Sequence, residues 1–119
     1  MTREELNDFI ASVHNDNKLW WTDIKTGEPI TPNVGQVLML CVSELSEAME
    51  GDRKGLMDDK LPHRTMFETE LADTVIRIFD AAGGYGLDLG GAILEKLEYN
   101  RHREDHKVES RLLPTGKKY

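Results

Sequence analysis

The chain of 119 residues has a single cysteine, Cys41. An internal disulfide is therefore impossible, and a reducing, cytoplasmic location is expected. No stretch approaches ~18 consecutive apolar residues, so no membrane span is expected. The opening MTREELNDFI lacks the basic, apolar and small-residue regions of a secretory signal. Positive charge is also short. Lysine and arginine number 15 against 22 aspartates and glutamates, which leaves a net charge of −7. That balance repels polyanions and argues against a nucleic-acid polymer as partner. It leaves room for a small anionic substrate, because a metal held by carboxylates reverses the local sign. Hydrophobic residues make up 39% of the chain, enough for one small core. A core of that size gains from oligomerisation.

What is present reads as helix. Thr2 with Glu5 makes a capping box, and Leu6, Phe9, Ile10 and Val13 recur at helical spacing, which predicts a helix over about 3–17. Residues 18–31 lose the period; Gly27 and Pro29 mark a loop that begins with Trp20 and Trp21. Thr31-Pro32 is a helix start, and Val34, Val37, Leu38, Cys41, Val42 and Leu45 give an apolar face running to about residue 50, with Gly51 as the stop. A polar loop spans 52–64. Thr65 and Glu68 form another capping box, and Phe67, Leu71, Val75, Ile78, Phe79 and Ala82 trace a third helix ended by Gly83-Gly84. Asp88 caps a fourth helix that carries Leu89, Ile93, Leu94 and Leu97 to about residue 104. The tail 107–119 contains Pro114 and Gly116 and is expected to be extended or partner-bound. Helices joined by short loops predict an all-α, four-helix bundle-like domain over 1–106, followed by that tail.

The chemistry rests on spacing. Glu44 and Glu47 lie three apart on the second helix, and Glu70 and Asp73 three apart on the third. Residues at i and i+3 are neighbours on one helical face. If the two helices pack across the 52–64 loop, four carboxylates converge, and hard cations such as Mg²⁺ take oxygen ligands of this kind. In so acidic a chain such pairs also arise by chance on solvated faces. These pairs flank the apolar stripes instead of opposing them, where a carboxylate needs a partner or a metal. On the fourth helix, Lys96, Asn100 and Arg103 lie at i, i+4 and i+7. Ammonium, amide and guanidinium in one stripe can hold phosphate oxygens. The competing reading is a solvated face paired with Glu95, Glu98 and Glu104.

These residues resemble the all-α nucleoside triphosphate pyrophosphohydrolases, the MazG-like and dimeric dUTPase-like enzymes. The family signature, ExxE then ExxD, reads here as Glu44-Leu45-Ser46-Glu47 and Glu70-Leu71-Ala72-Asp73. Lys96-Leu97-Glu98-Tyr99-Asn100-Arg101-His102-Arg103 is similar to the Lys, Asn and Arg group on the helix that follows. The resemblance covers about residues 34–106. It departs at Ser43, where many relatives have a further Glu. The resemblance implies a MazG-type fold completed by homo-oligomerisation, as a dimer or tetramer. It also implies hydrolysis of a (d)NTP to (d)NMP and pyrophosphate, by water attack at the α-phosphate with Mg²⁺ or Mn²⁺. Glu44, Glu47, Glu70 and Asp73 are then the catalytic metal ligands. Lys96, Asn100 and Arg103 are phosphate or sugar contacts, with Lys54 a further phosphate candidate. Trp20 and Trp21 can stack on a base or anchor their loop to the core. Asn17 and His14 are candidates for base edges. A guanine-directed branch, the MazZ-type enzymes acting on dGTP or GTP, is one specific expectation; another deoxynucleotide is the other.

Three further signals are set aside. Gly84-Tyr85-Gly86 follows a helix and lacks a complete phosphate-loop pattern. His102 and His106 have no third zinc ligand. Cys41 lies on an apolar face and reads as inert core. Two readings compete with the hydrolase: a helical adaptor without catalysis, and a relative that senses nucleotides without cleaving them.

Overall fold

The computed structural model describes all of residues 1–119. It contains five α-helices: α1 (Arg3–Asp16), α2 (Val34–Lys54), α3 (Met66–Gly84), α4 (Leu89–Arg101) and α5 (Val108–Arg111). Short 3-10 turns occupy Lys18–Trp21 and Glu104–His106. Extended pairing is limited to two isolated bridges, Thr22 with Pro29 and Met57 with Thr65. The class is all-α, and no helix is long and apolar enough to cross a membrane. Residues 8–87 form one compact unit; residues 1–7 and 88–119 form another.

Within the 8–87 unit, α2 and α3 pack against each other. The start of α2 is two residues later than Thr31-Pro32 implies. Asn33 is the cap, its Oδ1 accepting from the Gln36 amide at 3.1 Å. An asparagine side chain satisfies an amide that the proline before it cannot. Pro32 instead offers its carbonyl to Tyr85 Oη at 2.8 Å. Gly51 does not stop the helix. The helix runs on to Lys54 and ends at Gly55, whose φ of 62° is left-handed. Gly51 is buried because α3 begins against it; a Cβ there would lie 2.7 Å from Met66 Cγ. Helix α3 ends at Gly84, as the Gly83-Gly84 pair implies. A Cβ on Gly83 would overlap the His14 side chain, and one on Gly84 the Trp21 ring. The turn falls at Gly86, with φ 68°. The start of α3 follows the sequence expectation: Thr65 and Glu68 cap it reciprocally.

The buried apolar set is small: Ile10, Cys41, Ala48 and Ala82. Phe9 meets Phe79 edge-on with ring centroids 5.9 Å apart. Much of the apolar surface of α2, including Leu38, Met39, Val42, Leu45 and Met49, is exposed.

In the other unit, Asp88 caps α4 through the Gly91 amide and also accepts from Asn7 Nδ2 at 2.7 Å. Arg3 closes the same corner, 2.7 Å from Asp88. Helix α4 ends at Arg101, before the expected limit near residue 104. The tail is not extended. Residues 108–111 make a helical turn, Lys117 pairs with Asp105 at 2.6 Å, and Arg111 Nη2 donates to the Lys118 carbonyl at 3.1 Å. These bonds supply the partners that an extended tail lacks.

Candidate metal and nucleotide site

The packing of α2 on α3 brings Glu44, Glu47 and Glu70 together: one oxygen from each lies within 4.8 Å of the others. Spacing explains this. Glu44 and Glu47 stand on adjacent turns of α2, and Glu70 faces them from the second turn of α3. Asp73 is not in that cluster. It lines the adjoining cavity, of about 540 Å³, with Glu44. Two residues absent from the sequence reading, Arg77 and Asp80, line the same cavity. Asp73, Arg77 and Asp80 follow at i, i+4 and i+7 along α3 and so share one face.

Charge is unevenly compensated across this site. Arg77 Nε donates to Glu44 Oε1 at 2.8 Å. Burial works to raise the Glu44 pKa, but the bonds with Arg77 and Glu70, and the Arg77 charge, hold it below the usual carboxylate value. Glu70 has no such cation. Burial first, then hydrogen bonding and repulsion from Glu44 and Glu47, push its pKa up to about 8. Burial and the Glu44 charge also raise Asp73, with Arg77 opposing. Glu70 Oε2 is buried without a hydrogen-bond donor. Protonated, Glu70 donates to its carboxylate neighbours; ionised, it leaves an acceptor with nothing to accept. Three hard oxygen donors around one orphaned acceptor fit a divalent cation.

The far end of the cavity is fully served. Asp80 Oδ1 accepts from Trp21 Nε1 at 3.0 Å and bonds His14 Nδ1 at 2.7 Å. The His14 and Trp21 rings also meet edge-on, as do those of Trp21 and Tyr85. This network answers the open question about the tryptophans differently for each. Trp21 anchors its turn. Trp20 stays exposed at the cavity wall, and Asn17 lines the wall while donating to the Val13 carbonyl at 2.8 Å. His14 is committed to Asp80 and is not a cavity-lining residue.

The remaining candidates are not among the residues that line the cavity. Lys54 pairs with Glu50 at 2.8 Å at the end of α2 and does not line the cavity. Lys96, Asn100 and Arg103 belong to the 1–7/88–119 unit. Only Lys96 and Asn100 lie on α4; the helix ends at Arg101, so the expected three-residue stripe is broken before Arg103. Arg103 forks onto Asp105 at 3.0 and 2.8 Å, and Lys96 and Arg103 both approach the Tyr99 ring. Asn100 Oδ1 is buried without a donor.

Arg77 and Asp80 carry a detectable sequence signal. Both continue the Asp73 face at helical spacing, and both interrupt an otherwise apolar run. Compared with protein-family models, curated proteins and solved structures, the chain finds no match in any of the three.

Proposed function

We propose that this chain is a metal-dependent nucleoside triphosphate pyrophosphohydrolase of the MazG-like kind. It would convert a (d)NTP to (d)NMP and pyrophosphate by water attack at the α-phosphate. The single observation that carries this reading is the convergence of Glu44, Glu47 and Glu70 within 4.8 Å, around a buried acceptor with no donor. Glu44, Glu47 and Glu70 would hold Mg²⁺ or Mn²⁺, with Asp73 beside them. A bound cation supplies the positive charge that lets a triphosphate approach these carboxylates, and it lowers the pKa of the attacking water. The chain's own residues do the rest. A carboxylate of this group orients the water by accepting its proton. Leu40, Val37 and Ile76 on the cavity wall limit bulk water. Exposed Trp20 offers a face on which a base can stack. Candidate substrates include dGTP and GTP.

We infer a homo-oligomer of cytoplasmic location as its working form. The support is the thin buried core beside the exposed apolar face of α2. Light scattering at micromolar concentration tests this; a monomer contradicts it.

The activity is tested by substitution. Pyrophosphate release should require Mg²⁺ or Mn²⁺ and should vanish in Glu47→Gln and Asp73→Asn proteins that remain folded by circular dichroism. Unchanged turnover in either variant defeats the assignment.

A further inference from the structure

Arg77 is the only cation among the residues that line the cavity beside the carboxylate cluster. Its neighbours there include Glu44, Asp73 and Asp80. One nitrogen, Nε, is spent on Glu44 at 2.8 Å. A guanidinium carries five N–H donors in a planar fork, so the two terminal nitrogens keep donors to spare. The side chain as a whole is 41% exposed, while the Glu44 side chain it grips is only 13% exposed. Arg77 is therefore anchored at Nε, with no hydrogen-bond partner at its terminal nitrogens, on the wall of the cavity. That terminal edge suits a tetrahedral anion, because a guanidinium fork matches two phosphate oxygens at once. An ammonium at this position would offer a point charge without the planar fork.

We propose that Arg77 is a phosphate-contacting residue of this cavity, its Nε held by Glu44 and its terminal nitrogens donating to a polyphosphate chain. The inference rests on the pyrophosphohydrolase reading, which it deepens by naming the residue that grips the substrate's anionic end. It ties the two halves of the site together. The carboxylate that would serve the cation also fixes the arginine that serves the phosphate, so both arrive pre-oriented. The cost of immobilising a long side chain falls on folding and not on binding.

The test is calorimetric binding of inorganic tripolyphosphate in the presence of Mn²⁺, alongside binding of Mn²⁺ alone. Wild type should bind tripolyphosphate. Arg77→Met should weaken that binding at least about tenfold, while affinity for Mn²⁺ alone stays within about threefold. Arg77→Lys keeps the charge and should recover part of the loss, since a point charge replaces a fork. Equal tripolyphosphate affinity in wild type and Arg77→Met overturns the proposal. So does a parallel loss of Mn²⁺ affinity, which would reduce Arg77 to a support for Glu44. Absence of tripolyphosphate binding by wild type overturns it as well. The probe carries no nucleoside and need not be cleaved. Binding lost only in the variants supports Arg77 even where no nucleotide is turned over, a result that removes the hydrolase reading alone.

Discussion

The two ends of the site, the cavity around Asp80 and the carboxylate cluster that adjoins it, use acidic side chains to opposite effect. At one end, Asp80 receives donors from Trp21 and His14 on a single oxygen. At the other, Glu70 is crowded by Glu44 and Glu47 and holds a buried oxygen that nothing serves. The first is a finished structural network, and its carboxylate organises the turn carrying Trp21. The second is electrostatically incomplete, with only Arg77 to offset it. A buried carboxylate with donors explains itself; one surrounded by other carboxylates calls for a cation. Being acidic and lying on an inner helix face does not separate the two ends. The donors do.

The comparison can be broken most forcefully at the unfinished end. Glu70→Gln should cost on the order of 100-fold or more in metal-dependent turnover, measured as pyrophosphate release, while leaving the fold intact. At the finished end, Asp80→Ala should act on stability first. It leaves the Trp21 indole N–H and the His14 ring nitrogen without their acceptor, at a cost of about 1–3 kcal/mol in chemical denaturation. If Asp80→Ala unfolds like wild type, the network is not structural and the contrast fails.

A smaller effect sharpens the contrast through pH. Glu70 titrates near 4.5 when unperturbed and near 8 in the folded, metal-free protein. Between those values the folded state holds more protons than the unfolded state. Stability from this group is therefore present at low pH and falls as pH rises toward about 8. Glu70→Gln should flatten that decline in thermal melts taken across the range. Saturating Mn²⁺ should offset it in wild type, because a ligand bound to the folded state adds stability. A control lies outside the cavity: Thr65→Ala removes the α3 cap and should cost about 1 kcal/mol with no pH signature in that window.

The sequence discloses features whose causes are local. Thr65 with Glu68, and Asp88 with Gly91, are caps because a side chain a few residues away can reach an open amide. The Glu44, Glu47 and Glu70 cluster is also foreseeable, since helical spacing fixes which turn each acid occupies and a short loop brings the helices together. Gly51 is misread for the complementary reason. It looks like a stop, yet it makes room for Met66, a side chain remote in sequence, as Gly83 and Gly84 at the end of α3 do for His14 and Trp21. Arg77 escapes because its importance depends on Glu44 lying across the helix pair, which a one-dimensional pattern does not display. Arg103 is misplaced because the Asp105 carboxylate two residues on captures its fork beyond the end of α4.

The central claim is that the crowded end of the site, beside the cavity, performs metal-dependent pyrophosphohydrolysis. Its most direct test is a turnover screen of the common ribo- and deoxyribonucleoside triphosphates with Mg²⁺ and with Mn²⁺, resolving products by chromatography. The account predicts a nucleoside monophosphate and pyrophosphate from one or a few substrates, and nothing when the metal is chelated. Folded, metal-loaded protein that releases no pyrophosphate from any of them would contradict it.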